Sequence, residues 1–313
     1  MSKIIVGLTS TPPRVNTIAP TLLSLLNQEL KPDEVVLTIP KVSARFNVPY
    51  QITNPDILKL VADGKIIINE IDHDYGPATK LVGLLYRSYD PYDILVWLDD
   101  DTEYGPLLLK CLSERVQPNN AVSLSGFSFD NKNNFVHPKD NTIKADDTFD
   151  MLEGFAGVAT YKQNTPSVHD LELYNIRPQT YESLKLISKK ERLQFMADDF
   201  TISQFFKKNN IRMNVVSNKV CNKQQISQLK TGFRADALHK QKHDTSADSN
   251  EYNYRYLLRL ERNDDQNDDN DDSFKLHSRS PSTLIFTIFS SIFLLLLALS
   301  VVWLLVTHYK RKN

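Results

Sequence analysis

The chain has 313 residues, of which 41% are hydrophobic, and a formal net charge of −1 at pH 7. This length suffices for one large domain with its own core, and the balanced charge argues against a nucleic-acid-binding protein. Only two cysteines occur, Cys111 and Cys221, so the composition does not resemble a small disulfide-built domain and is compatible with a reducing compartment.

Strands and helices are predicted to alternate along the first part of the chain. The predicted strands are Lys3–Leu8, Glu34–Ile39, Lys65–Ile71 and Ile94–Leu98, and the predicted helices cover residues 18–27, 56–62 and 79–89. Alternation of this kind is typical of a parallel sheet with right-handed crossovers.

The second part of the chain is less regular. The predicted elements are strands at Ala121–Ser125, Phe149–Glu153, Gly157–Tyr161 and Met213–Val216, a helix at Asp198–Asn209, loops at 128–147 and 217–249, and an amphipathic helix at Tyr252–Leu260. We expect the whole of residues 1–260 to form one domain.

The fourth predicted strand ends in three adjacent acids, Asp99, Asp100 and Asp101. Open α/β sheets place their ligands at the carboxyl ends of strands. Alternation along the strand would let Asp99 and Asp101 face one ligand while Asp100 turns away. Carboxylates suit Mg²⁺ or Mn²⁺ shared with a substrate phosphate. The alternative is a solvated acidic turn that caps the next helix.

The C-terminal part of the chain has a different composition. Residues 261–281 include an acidic, amide-rich run that cannot bury a core, so we expect a disordered linker. Residues 282–307 carry no charge and are long enough for one membrane-spanning helix, followed by a basic tail at 308–313.

The first apolar run of the chain and the basic residues beside the span favour opposite orientations of this single span. The first apolar run, Lys3–Leu8, is too short for a signal peptide, so we expect a C-terminal anchor with the domain in the cytoplasm. Three basic residues after the span and two before it favour the opposite orientation by one charge, since positive residues favour the cytoplasmic side.

Four segments, together with the acidic strand end, resemble the GT-A class of nucleotide-sugar glycosyltransferases, and glycosyltransferase family 2 within it. They are Thr21–Leu37, Asp74–Leu81, Glu153–Gly157 and Ala197–Phe200. The resemblance covers residues 3–216. It implies a GT-A-type, Rossmann-like mixed α/β sheet flanked by helices, here with the single transmembrane helix added.

The resemblance also implies roles for the donor-side residues. Asp101 would bind a divalent cation, and Asp99 would contact the ribose or share the metal, a role that Asp100 could exchange with it. Thr9 and Arg14, in the loop after the first strand, would lie against the nucleobase. Arg14 could instead be a surface cation beside a helix.

Further donor and acceptor contacts are implied along the chain. Lys80 lies in the first turn of a helix, where a cation opposes the macrodipole, which favours a phosphate-binding role. Asp74 would hold the nucleoside or the donor sugar, or would simply form a turn before Gly76. Glu153 would contact sugar hydroxyls, and Gly154 would allow close approach of the backbone to the sugar.

The chemical step is expected at Asp199, with Asp198 as the alternative. In an inverting transfer a carboxylate removes a proton from the attacking acceptor hydroxyl. Asp is also a favoured residue at a helix start, so either could be structural. The candidates for a late metal ligand are His239 and His243, of which His239 is preferred, and an exposed loop histidine is the alternative for each.

The sequence therefore predicts a hexosyltransferase-type enzyme that depends on Mn²⁺ or Mg²⁺. It would transfer a sugar from a nucleotide-sugar, most simply a UDP-sugar, to a glycan or lipid-linked acceptor at a membrane. A sugar nucleotidyltransferase is one alternative, although residues 9–14 contain no glycine for a phosphate-binding loop. A catalytically inactive, membrane-anchored binding protein on the same fold is the other.

Overall fold

A computed structural model describes residues 2–131, 134–139, 143–144, 147–174, 176–217, 221, 226–228 and 257. The predicted linker, membrane helix and basic tail lie outside these residues, as do His239 and His243, and only Leu257 is described within the predicted helix Tyr252–Leu260. In the described part of the chain, no helix combines the length and apolarity needed to cross a bilayer.

The described strands fall into three sheets. In chain order they are β1 (Ile4–Leu8), β2 (Glu34–Pro40), β3 (Ile67–Ile71), β4 (Ile94–Trp97), β5 (Thr102–Tyr104), β6 (Asn120–Ser123), β7 (Gly126–Phe129), β8 (Phe135–Val136), β9 (Met151–Leu152), β10 (Val158–Tyr161), β11 (Arg212–Val215) and β12 (Ile226–Gln228). The predicted strands of the first part are all present, with ends that differ by up to two residues.

The described α-helices lie between these strands. They are α1 (Ala19–Leu26), α2 (Pro55–Ala62), α3 (Thr79–Leu85), α4 (Leu108–Ser113), α5 (Val168–Leu173), α6 (Tyr181–Leu186), α7 (Lys189–Met196) and α8 (Asp198–Lys208). Single 3₁₀ turns occur at Gly76–Ala78, Gly154–Ala156 and Lys162–Asn164.

The central sheet has seven strands in the order β11-β6-β10-β4-β1-β2-β3. Its strands pair in parallel except β10, which runs antiparallel to both β4 and β6. This is the Rossmann-like mixed sheet flanked by helices that the sequence predicts. The carboxyl ends of β1, β4 and β6 therefore meet at one edge, and the segments that follow them form the candidate site.

Both faces of the sheet are covered. Val6 and Leu8 of β1 pack into the same cluster as Leu22 of α1 and Ile57 of α2, whereas Ile5 packs with Leu84 of α3 on the other face. Burial on both faces explains why the central strands are continuously apolar rather than alternating.

Gly7 sets the distance between α3 and the sheet. A Cβ at this position would lie 2.6 Å from the carbonyl oxygen of Lys80. The absence of a side chain lets the first turn of α3 lie directly on β1, which brings Lys80 to the carboxyl edge of the strands.

Three parts of the prediction are wrong. The predicted loop 217–249 includes β12 at Ile226–Gln228, which pairs with β5. The predicted loop 128–147 includes the end of β7 and all of β8, which pair with each other beside β9. Helices α5, α6 and α7 were not predicted, because they are short and carry little apolar periodicity. Each nevertheless begins with a capping box, at Ser167, Thr180 and Ser188, which is a signal that the sequence contains.

A disulfide joins Cys111 of α4 to Cys221, with a Cα–Cα distance of 5.6 Å. This distance lies within the range that a disulfide requires. Disulfides persist mainly in oxidising compartments, so this bond favours such a compartment, whereas the small number of cysteines was only compatible with a reducing one. Cys221 precedes β12, which pairs antiparallel with β5 immediately after the three acids.

The disulfide gives a direct prediction. Protein made in an oxidising compartment and denatured without reductant should show no reaction of Cys111 or Cys221 with iodoacetamide, and both should react after reduction, as mass spectrometry would show. The Cys221→Ser variant should lose about 2–5 kcal/mol of unfolding free energy in urea. Alkylation of both cysteines before reduction would contradict the bond.

Candidate active site at the carboxyl edge of the sheet

The three acids lie in the turn between β4 and β5 and not on a strand. Asp100 and Asp101 both pair with Arg14, at 2.6 and 3.1 Å, whereas Asp99 lies 2.7 Å from Lys80. The expectation that Asp99 and Asp101 face one way and Asp100 the other is therefore wrong. β4 ends at Trp97, and strand alternation does not extend beyond a strand end.

Asp100 is buried within this turn, and its hydrogen bonds hold the turn in place. Its side chain is only 2% exposed, and the Ser10 hydroxyl donates to it at 2.5 Å. The Thr21 hydroxyl donates to its backbone carbonyl at 2.9 Å. Burial raises the pKa of Asp100 to about 6, against the lowering effect of Arg14 and Ser10. By contrast, the side chain of Asp99 is 38% exposed and accessible from the edge.

The loop after β1 supports the acidic turn. The Thr9 hydroxyl donates to the carbonyl of Thr38 at 2.8 Å, and the Arg14 side chain is 16% exposed and bound to the acids. Tyr50 donates to the carbonyl of Ser10 at 2.9 Å. Of the two residues predicted as nucleobase contacts, Thr9 joins the loop to β2 and Arg14 joins it to the acidic turn, so Arg14 is not a solvated surface cation.

Lys80 lies at the centre of a second group of acids. Its ammonium is 2.7 Å from Asp99 and 3.1 Å from Asp198, and its side chain is 3% exposed. Burial lowers the pKa of Lys80, but the carboxylates of Asp198, Asp99 and Asp199 outweigh that effect and raise it well above its usual value. Lys80 is therefore a buried charge that links the acidic turn to α8.

The acidic pair at the start of α8 faces this lysine. Burial raises the pKa of both carboxyl groups, and the neighbouring charge of Asp198 raises that of Asp199 further. One carboxylate oxygen of Asp199 accepts a hydrogen bond from the Gly154 amide at 3.0 Å. The other, Oδ1, is buried without a hydrogen-bond partner among the described residues. Neither carboxylate makes an N-cap hydrogen bond, but both acids lie in the first turn of α8, so the structural alternative of a helix-start residue also fits their position.

Gly154 allows these groups to meet. A Cβ at this position would lie 2.7 Å from Asp199 Oδ1 and 2.9 Å from Lys80 Nζ. The backbone at Gly154 therefore closely approaches Asp199 and Lys80, and its approach to a sugar stays a prediction. The adjacent Glu153 carboxylate accepts from the Ser125 hydroxyl at 2.6 Å, and burial raises its pKa.

Asp74 has a structural position. Its two carboxylate oxygens accept from the backbone amides of Gly76 and Ala44, each at 2.7 Å, and the residue is 6% exposed. Burial raises its pKa while these amides lower it. Asp74 therefore stabilises the turn before Gly76 and also holds the loop after β2. This position fits the alternative in which Asp74 simply forms a turn.

Tyr104 is part of the site although no sequence pattern distinguished it from a core aromatic. Its hydroxyl accepts from the Asp99 amide at 3.2 Å and lies 3.0 Å from the carbonyl oxygen of Phe155, to which it can donate. The residue is 3% exposed. Ser10 and Ser125, which bind Asp100 and Glu153, were likewise missed.

The acids fit a cation that arrives with a ligand better than a resident metal. The described residues contain no group of three or more His, Cys, Asp or Glu side chains arranged to hold a metal ion. However, Asp99, Asp198 and Asp199 share one lysine, and Asp199 Oδ1 is buried without a hydrogen-bond partner among the described residues. Mg²⁺-type ions are commonly held by one or two carboxylates together with substrate phosphates.

Comparison with known proteins shows likeness of fold alone. No family model matches the chain, and no curated protein matches it. Similar solved structures include S. aureus TarS, with 12% identity over 74% of this chain and 37% of that chain at a TM-score of 0.41. Another is glucosyl-3-phosphoglycerate synthase from Mycobacterium tuberculosis in complex with Mn²⁺, UDP and glucosyl-3-phosphoglycerate. It has 18% identity over 39% of this chain and 43% of that chain, at a TM-score of 0.29.

A third similar structure carries a different name. It is 4-diphosphocytidyl-2C-methyl-D-erythritol synthase from Anaerococcus prevotii, with 14% identity over 69% of this chain and 86% of that chain at a TM-score of 0.39. The chain spans less than half the length of the TarS and glucosyl-3-phosphoglycerate synthase chains above. These likenesses do not establish a function.

The position of Lys80 predicts a large effect on stability. Lys80→Met would leave Asp99 and Asp198 without their cation, and loss of one partner of a buried ion pair costs about 3–5 kcal/mol. Urea unfolding should show this loss. Lys41→Met, which breaks the exposed pair with Asp72 at 2.5 Å, is the matched control and should cause little change. Equal stability of the two variants would contradict the buried role of Lys80.

Proposed function

We propose that this chain is a glycosyltransferase that transfers a sugar from a nucleotide-sugar donor with the help of a divalent cation. The observation that carries the proposal is the buried Lys80 ammonium, which joins Asp99 in the acidic turn to the acidic pair of α8. Carboxylates for a cation and a carboxylate for proton removal thereby lie at the same edge of the sheet, where α/β folds bind ligands.

On the donor side, Asp99 and Asp101 would share Mn²⁺ or Mg²⁺ with the diphosphate of the donor. The exposure of the Asp99 side chain supports its role as a cation ligand. Asp100 is the poorer candidate for this role because it is buried against Arg14 and Ser10. The cation would stabilise the negative charge that develops on the leaving diphosphate. Lys80 would hold Asp99 in place, and its contact with a phosphate stays a prediction because its side chain is only 3% exposed. His239 remains a predicted further ligand.

On the acceptor side, Asp199 would remove the proton from the attacking hydroxyl. Its Oδ1 oxygen has no hydrogen-bond partner among the described residues, whereas Asp198 is paired with Lys80. Burial raises the pKa of Asp199, and a carboxylate with a raised pKa is a stronger base. Glu153, held by Ser125, would contact a sugar hydroxyl. A carboxylate base of this kind fits an inverting transfer.

The acceptor and the membrane are inferred from the sequence. The uncharged run 282–307 supports a membrane-anchored enzyme that acts on a glycan or lipid-linked acceptor. The Cys111–Cys221 disulfide favours an oxidising compartment for the domain over the cytoplasm, and the basic residues after the run favour the same orientation.

The nucleotidyltransferase alternative is less well supported. Such an enzyme needs backbone amides of a glycine-rich loop around the phosphates, whereas residues 9–14 lack glycine and Arg14 is bound to Asp100 and Asp101. The two enzyme classes differ in product, since only the nucleotidyltransferase would release pyrophosphate from a nucleoside triphosphate.

Donor binding can be tested by thermal shift. At a concentration of UDP one hundred times its Kd, with MnCl₂ present, the Tm should rise by about 5–10 °C. Asp99→Asn and Asp101→Asn should each reduce the part of the shift that depends on Mn²⁺. Asp72→Asn, which alters an exposed acid outside the site, should retain it. Absence of any shift with UDP, GDP, CDP or dTDP, with either Mn²⁺ or Mg²⁺, would refute the proposal.

The base can be tested separately from binding. Asp199→Asn should keep the UDP-dependent thermal shift. It should lower the rate at which UDP is released from the donor UDP-sugar at least about 100-fold, because a general base usually contributes this much to the rate. Asp198→Asn is the comparison variant, because it alters the neighbouring carboxylate that pairs with Lys80. An Asp199→Asn enzyme with the full rate of UDP release would rule out this role.

A further inference from the structure

Tyr104 makes a neutral connection between the two sides of the site. Its hydroxyl accepts a hydrogen bond from the Asp99 amide at 3.2 Å and can donate its single proton to the Phe155 carbonyl at 3.0 Å. The Asp99 carbonyl lies slightly further away, at 3.3 Å. The hydroxyl therefore bridges the backbone of the acidic turn and the backbone of the Gly154–Ala156 turn.

The Tyr104 residue itself is held firmly. Its amide donates to the Ser24 hydroxyl of α1 at 3.0 Å, and it pairs with Ile226 of β12 across the small sheet. The side chain belongs to the main apolar cluster and the residue is 3% exposed. A hydroxyl on so well-fixed a ring can determine where its two hydrogen-bond partners lie.

The Gly154–Ala156 turn carries this connection on to α8. Phe155 follows Gly154, whose amide donates to Asp199 at 3.0 Å. A continuous path of hydrogen bonds and backbone thus runs from Asp99 through Tyr104 and Gly154 to Asp199. Lys80 provides a second, ionic link from Asp99 to the neighbouring Asp198.

We propose that Tyr104 is a positioning residue for the transfer reaction, which holds the donor-side Asp99 and the base Asp199 at a fixed separation. This inference rests on the proposed function. The base must reach the acceptor hydroxyl while that hydroxyl faces the anomeric carbon, and a misplacement of about 1 Å in such an arrangement can cost about 100-fold in rate.

Loss of the hydroxyl should affect the rate and not donor binding. Without it, the Asp99 amide and the Phe155 carbonyl lose their shared partner, so the turn that holds Asp199 can shift relative to Asp99. The Asp99 carboxylate would still be held by Lys80, so the cation and the diphosphate keep their contacts. A residue needed only for folding would instead weaken binding and rate together.

The test compares Tyr104→Phe with Tyr75→Phe in the full-length protein. Tyr75 is equally buried, at 2% exposure, and its hydroxyl bonds to that of Tyr86 and not to the acids. The affinity for UDP with Mn²⁺ is measured by calorimetry. Turnover is measured as UDP released from UDP-glucose, UDP-galactose or UDP-N-acetylglucosamine, with whichever sugar the unmodified protein uses.

We expect Tyr104→Phe to bind UDP within about threefold of the unmodified affinity and to keep the KM for the donor, while kcat falls at least tenfold. Tyr75→Phe should keep kcat within twofold. The inference is overturned if Tyr104→Phe also keeps kcat within twofold, or if its UDP affinity falls in parallel with kcat. If the unmodified protein binds none of UDP, GDP, CDP and dTDP with Mn²⁺ or Mg²⁺, the proposed function fails, and this inference fails with it.

Discussion

The arrangement of this site depends on one buried positive charge, the ammonium of Lys80. Three carboxylates surround it, and burial of such groups without a cation would be expensive enough to keep them neutral or to separate them. Lys80 reaches this position because Gly7 allows α3 to lie directly on β1. The chemistry at the edge of the sheet therefore depends on packing in its interior.

Two cations divide the acids between them. Arg14 holds Asp100 and Asp101 and so fixes the turn after β4, while Lys80 joins Asp99 to the start of α8. The Arg14 group holds the loop after β1 against this turn, and the Lys80 group links the turn to α8. In the proposed mechanism, this division leaves Asp99 exposed for a cation and leaves one oxygen of Asp199 without a hydrogen-bond partner among the described residues.

The sequence predicts most of the elements that build the site, and few of the contacts within it. The apolar runs of β1, β2 and β4 and the helical start at Asp198 are local patterns, and they are confirmed. The directions in which the acids face were predicted from strand alternation, which failed because β4 ends at Trp97 before the acids begin. The pairs of Lys80 with Asp198 and of Cys111 with Cys221 join distant parts of the chain, so no local pattern could reveal them.

Crystals grown with UDP and MnCl₂ would test the central claim most directly, since manganese can be located by its anomalous scattering. The account predicts one Mn²⁺ at about 2.1 Å from a carboxylate oxygen of Asp99 or Asp101, and also bound to the diphosphate. Asp199 should lie on the opposite side of the cleft, still joined to Gly154. Manganese or UDP bound away from the acidic turn, with Asp99 still closed against Lys80, would contradict it.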